Sequence, residues 1–191
     1  MASSIDASTS GAGGVITTAD NTGILQLKSG GTTIATISST GLALNTGNIT
    51  VPSSAAPTFS AYSTLTQSTS ANVFLKVTCN VEEWDTNSNY DNSSTYRFTP
   101  TVAGYYQVSC FVSLNNTTTR LIASIYKNGS QAKKVFDLGD VAAVANGGGS
   151  AIVYCNGSSD YLELYARTAN ANSVISSGGE TMFQAALIRS A

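Results

Sequence analysis

Residues 104–114 read GYYQVSCFVSL, and their alternation is the tightest constraint in the chain. In extended backbone, successive side chains point to opposite faces, so Tyr106, Val108, Cys110 and Val112 share one side while Tyr105, Gln107, Ser109 and Phe111 share the other. A helix would scatter both sets around its circumference. The run is therefore a strand, and it carries aromatic rings on both faces. The closing run TMFQAALI repeats the pattern, with Met182, Ala186 and Ile188 alternating with Phe183, Ala185 and Leu187. A two-layer sandwich buries only one face of each sheet, so a second apolar face calls for a further partner.

Other strand-like runs follow at turn spacing: ANVFLKVTCNV from Ala71, STYRFTP from Ser94, TRLIASIYK from Thr119, SAIVYC from Ser150 and DYLELYAR from Asp160. Asn128-Gly129 is a strong tight-turn signal and Asn156-Gly157 a second. The glycines at 147–149 and similar clusters read as turns, since they lack the strand–helix context and the lysine of a phosphate loop. Only 10% of residues are charged while 42% are hydrophobic, against a usual charged share of about a quarter. Ser, Thr, Asn and Gly fill the difference, which suits strands and turns rather than exposed helices. The expected fold is an all-β sandwich or jelly roll.

The first part of the chain has another character. Residues 1–14, MASSIDASTSGAGG, hold Ile5 as their one large aliphatic residue and read as an anchoring arm that a partner would order. Residues 15–57 form a β-rich stem and hinge: apolar pieces at Ile24–Leu27, Ile34–Ile37, Leu42–Leu44 and Ile49–Val51 are separated by Ser-Gly-Gly, Ser-Thr-Gly and Asn-Thr-Gly. Each piece is too short for a core of its own. Three copies side by side sharing one core, or hairpins packed on a larger body, both satisfy the pattern. Two of the three prolines bracket PSSAAP, residues 52–57, which places a boundary before the head, residues 58–191.

Several function classes are disfavoured. The chain has no histidine, which removes the commonest general base and metal ligand and every Ser-His or Cys-His system. Nine Lys and Arg are scattered, with Lys133-Lys134 the one adjacent pair and a net charge of −2, so no phosphate-tracking patch for nucleic acid exists. No apolar run is long enough to insert in a membrane. The amino-terminal stretch lacks the basic and apolar regions of a secretory signal, so folding in a cytoplasm is expected, with release by a route such as host lysis. Three cysteines, Cys79, Cys110 and Cys155, match no zinc spacing and read as buried thiols, although pairing within or between subunits stays open.

Residues 58–190 resemble the globular head of the C1q family, which shares the trimeric jelly roll of tumour necrosis factor. The resemblance rests on FSAY at 59–62, NVFLKV at 72–77 and, above all, YDNSSTYRFTPTVAGYYQVS at 90–109. SIYKNGS, GGGSAIVYCNGSSDYLELYAR and TMFQAALI follow in the family's order. It implies a ten-stranded jelly roll assembled as a homotrimer. No Gly-X-Y period precedes the head, so the family's collagen stalk is lacking. The stem is instead similar to segments of tailed-bacteriophage fibre and virion-surface proteins, which implies a phage virion protein and no complement function.

The candidate core and trimer-interface residues are Phe59, Tyr105, Tyr106, Phe111, Tyr126, Tyr154, Tyr161, Tyr165, Phe183 and Leu187. Glu82, Glu83, Asp85 and Asp91 cluster around Trp84 and offer oxygen ligands for calcium, although their spacing matches no EF-hand. A solvated acidic loop is the plainer reading, and an acid–nucleophile pair for glycoside hydrolysis the weaker one. Trp84 with Tyr90 could make a stacking platform for a cell-surface glycan, although a rim aromatic packed on its own loop is the plainer reading. The function expected is structural and non-enzymatic: a homotrimer on the surface of a tailed-phage virion, as capsid decoration, head fibre, or tail-fibre or spike tip. It would hold other virion proteins through its arm and stem, and the alternative is a free carbohydrate-binding or adhesion module of C1q-like type.

Overall fold

The computed structural model describes residues 24–45, 56–171, 174–175 and 178–191. The arm at 1–14, the apolar piece Ile49–Val51 and most of the 52–57 hinge lie outside the described residues. The chain divides into two compact units, Met1–Thr50 and Val51–Ala191.

In the first unit, β1 (Leu25–Ser29), β2 (Thr32–Ser38) and β3 (Gly41–Leu44) form an antiparallel meander. Two-residue turns join the strands, and glycine supplies the positive φ at Gly30 (56°) and Gly31 (82°).

The second unit holds β4 (Thr58–Tyr62), β5 (Gln67–Ser68), β6 (Leu75–Lys76), β7 (Val81–Asp85), β8 (Tyr90–Asp91), β9 (Arg97–Phe98), β10 (Ala103–Lys127), β11 (Ser130–Asn156), β12 (Leu162–Thr168), β13 (Val174–Ile175) and β14 (Met182–Ser190). It is a sandwich organised by one long hairpin. Strands β10 and β11 pair from Ala103↔Asn156 to Lys127↔Ser130, closed by a tight turn with Asn128 at φ 53° and Gly129 at φ 76°, the primed geometry Asn-Gly favours. The first half of β10 pairs with β14, which continues to β4 and β7. Its second half, Leu121–Lys127, pairs with β12. The hairpin thus passes from one sheet to the other, and it does so where the register jumps from Ser113↔Asn146 to Thr117↔Val144, three residues facing one. Such a bulge bends a strand and raises its twist.

Two expectations change here. GYYQVSCFVSL and TRLIASIYK are halves of one strand rather than two strands, because nothing between them breaks extended backbone and the bulge absorbs the bend. Gly147–Gly149 are not a turn but part of β11, paired with Cys110–Val112. A Cβ at Gly147 would enter the Phe136 ring, and Cβ atoms at Gly148 and Gly149 would strike the Cys110 and Val135 carbonyl oxygens. The crossing needs three residues without side chains.

The core lies between the sheets. Phe59 stacks on Tyr90 and on Phe98 with ring centroids 4.6 Å apart in each case, and Phe183 meets it edge-on at 5.2 Å. Tyr106, Val108, Cys110 and Val112 all face inward and are buried. The three cysteines are free and buried. Burial pushes the thiol of Cys79 up to about 12 and those of Cys110 and Cys155 to about 11, which makes them poor nucleophiles at neutral pH.

Candidate assembly surface

The sheet β7–β4–β14–β10–β11 has one face in the core, and its other face is apolar as well. Among the large hydrophobic side chains left exposed are Trp84 on β7, Tyr105 and Phe111 on β10, Ile152 and Tyr154 on β11 and Ile188 on β14. All six sit on this one sheet. Register explains the grouping. Tyr105 is opposite Tyr154, Gln107 opposite Ile152 and Phe111 opposite Gly148 on one side, and Gln107 is opposite Ala186 and Phe111 opposite Met182 on the other. The Tyr105 and Tyr154 rings lie 5.5 Å apart, and Lys127 donates to the Tyr154 carbonyl at 2.8 Å while its ammonium stands over that ring. A hollow between Trp84 and Ile188 is floored by Gln107, Ser109, Gln184 and Ala186. Below it Gln184 donates to Ser60 Oγ at 3.1 Å, and Ser60 donates onward to Glu83. The face is an apolar field crossed at its middle by a few polar side chains, of which Gln184, Ser60 and Glu83 are engaged with one another and Gln107 is exposed, a composition found at surfaces that a partner covers.

The ten aromatic and aliphatic candidates divide three ways. Phe59, Tyr106 and Phe183 belong to the core, with Leu187 half-buried against it. Tyr105, Phe111 and Tyr154 belong to the exposed face. Tyr126, Tyr161 and Tyr165 go elsewhere: Tyr126 and Tyr165 lie on β10 and β12 in the opposite sheet and stack at 3.9 Å, and Tyr161 carries the Arg97 guanidinium 4.5 Å from its ring centre. Sequence reasoning left Ile152 and Ile188 out of its interface set, and took Trp84 for a glycan-stacking residue instead. The signal of the two isoleucines was present, since each continues an alternation whose other partners are core residues.

Tyr90 does not join Trp84 in a platform. It is buried under Phe59, and its hydroxyl donates to the Cys79 carbonyl at 2.9 Å. Trp84 is half-exposed on the apolar sheet face instead. The acidic candidates do not converge either; among the described residues no three Asp, Glu, Cys or His side chains are grouped as metal ligands. Asp85 and Asp91 serve nearby backbone, while Glu82 and Glu83 do not. Asp85 accepts from the amides of Tyr90 and Asn87 at 2.6 and 3.1 Å. A register shift between Ser60 and Ala61 leaves Glu83 as the extra residue of β7, bonded to Ser60. Glu82 is exposed.

Asp91 closes the turn that follows β8, accepting from the amides of Ser93, Ser94 and Thr95 at 2.9, 3.0 and 3.0 Å and from their hydroxyls. The hydrogen bonds from the Ser94 and Thr95 side chains, then those from the Ser93 and Ser94 amides, hold its carboxyl far below the usual range. A carboxyl depressed by folding stabilises fully above its unfolded value, about 3.9, and loses that contribution as pH falls toward the folded value. Asp91→Ala should therefore cost on the order of 1 kcal/mol at pH 7, discounted for partial exposure. It should also flatten the fall in melting temperature between about pH 4 and pH 2; thermal melts of both proteins across that interval check it.

Solved structures share the head's architecture. The globular domain of zebrafish complement 1qA protein is 18% identical, with 71% of this chain and 99% of that one covered at a TM-score of 0.55. Murine APRIL at pH 8.0 is 12% identical over 70% and 99% of the two chains, at 0.52. PRD1 vertex protein P5 is 22% identical over 70% and 96%, at 0.50. No protein-family model matches the sequence, and no curated protein matches it. At such identities the likeness establishes the fold: the chain carries an all-β jelly-roll head of the C1q and tumour necrosis factor type.

Proposed function

We propose that the chain is a homotrimeric structural protein of a tailed-phage virion surface, acting by assembly and binding rather than by catalysis. The observation that carries the reading is the apolar outer face of the β7–β4–β14–β10–β11 sheet, which one chain leaves open to water. Two further copies around a threefold axis would cover it, as the resemblance of residues 58–190 to C1q heads implies. Its organisation would be an arm at 1–14, a stem and hinge at 15–57 and the head from Thr58 onward.

Likeness to a phage vertex protein supports a place on the virion. Other virion proteins would hold the arm, and three outward sets of loops would give weak contacts to a host glycan avidity. The native mass of the full chain tests the assembly. Three times the 19.6 kDa of one chain is expected, and a folded, soluble single-chain mass would overturn it. Antibody labelling of purified virions tests the location, with many copies on the capsid expected and a handful at the tail indicating the fibre role. Absence from the particle, together with glycan binding by the isolated protein, would establish the free adhesion module instead.

A further inference from the structure

The meander β1–β2–β3 is a single layer with two chemically different faces. Leu25 and Leu27 on β1 are opposite Ile37 and Ala35 on β2, and those two are opposite Leu42 and Leu44 on β3. Six side chains in register therefore share one face, and none of them carries a charge or a hydrogen-bonding group. Gln26, Thr36 and Ala43 are paired on the reverse face, where Thr36 donates to Asn45 Oδ1 at 2.7 Å. Ala35, flanked by the longer side chains of Leu27 and Leu44, is buried, while the five leucines and isoleucines around it are exposed, Leu42 at 61%.

A lone three-stranded layer has to lay such a face against a second layer. Among the described residues the unit has no further element for this. Both connections are two-residue turns, Gly30-Gly31 and Ser39-Thr40, too short to fold back over the strands.

We infer that the apolar face of the β1–β2–β3 sheet is covered by the same face of other copies, so that the stem is a second assembly element, separate from the head. The inference rests on the trimer proposed above. A face without polar groups selects an equally apolar occupant, and its own copies are the apolar sheets always present. A head trimer tethers three of them through the thirteen residues between Leu44 and Thr58, which reach at most about 45 Å even at full extension and so confine the three to a common volume. Association too weak to act between free meanders is sufficient under that tether.

The test uses the full-length chain carrying Leu42→Cys, treated with a short bis-maleimide; the native thiols are buried and weakly nucleophilic. Covalent dimers and trimers on a denaturing gel are expected, at about ten times the yield from Thr36→Cys on the reverse face, because only the apolar faces meet at high effective concentration. Equal or negligible yields from the two variants would overturn the inference. Leu42→Asp gives an independent reading: protease cleavage within residues 24–45 should become at least about tenfold faster, since unpacked strands open more often, while the head keeps its native mass. Unchanged cleavage counts against the stem contact. Failure of the trimer itself is distinguished from failure of the stem, since it shows as a single-chain native mass of the unmodified protein.

Discussion

Ile152→Asp should convert the assembly into folded single chains. The side chain lies mid-strand on β11 at 55% exposure, opposite Gln107 and within the field bounded by Tyr154, Tyr105 and Phe111. In one isolated subunit an aspartate there is wetted by solvent, so the jelly roll itself loses little. In the trimer the same carboxylate would sit between largely apolar sheet faces, with only the neutral amide of Gln107 opposite it in register. Covering the remaining surface of the six exposed side chains contributes on the order of 5 kcal/mol per subunit before the cost of association. An unpaired buried charge costs about 3–5 kcal/mol at each interface that holds it, comparable with the whole driving force. The dissociation constant should rise by about a thousandfold or more, since each 1.4 kcal/mol is a factor of ten. Light scattering at micromolar concentration should give 19.6 kDa, with an unchanged β spectrum. Ile152→Val keeps most of the apolar contact and should keep the mass. A triple mass for the aspartate variant would mean that this face is not where subunits meet, and the functional proposal would lose its main support.

The two faces of this sheet were legible in the sequence because period-two alternation is a local signal. Tyr106 and Tyr105 part to the core and to the surface as adjacent strand residues must, and Phe183 and Ile188 follow the same rule on β14. Which aromatic residues gather on one sheet was not legible, since that depends on pairings across long sequence separations. Tyr126 and Tyr105 look equivalent in a list of tyrosines, yet the bulge between Ser113 and Thr117 sends them to different sheets. Tyr90 was misplaced for a related reason. Its acidic, Asn-rich neighbours suggest a loop tip, while the distant Phe59 and the Cys79 carbonyl draw it inside. In the stem the strands could be placed from turn chemistry alone, whereas the coincidence of six apolar side chains on one face needs the register that the two tight turns fix.

Gly148→Ala should destabilise the head more than any other single methyl added to it at modest cost in chemistry. Glycine triplets signal turns because flexibility is what glycine ordinarily supplies, but φ at Gly148 is not positive, and its backbone lies in β11 opposite Phe111. What matters there is the absence of a Cβ: one built at this position collides with the carbonyl of Cys110, a backbone group fixed by the ladder. A flexible side chain would move aside, whereas this obstacle moves only if β10 and β11 separate at the crossing where the hairpin changes sheets. Overpacking of this kind costs about 1–3 kcal/mol and more where backbone must shift, so a loss of about 3 kcal/mol is expected. For a chain of this size that is a drop of roughly 6–12 °C in melting temperature. Gly139→Ala is the matched control, on the same strand with no atom within 4 Å of its Cβ, and it should stay within about 0.5 kcal/mol of the parent. Were the triplet a surface turn, the two substitutions would melt alike. A clear separation between them ties the glycines to the one structural act that builds this fold, the passage of a single hairpin through both layers, which also delivers Tyr105, Phe111, Ile152 and Tyr154 to a common outer face.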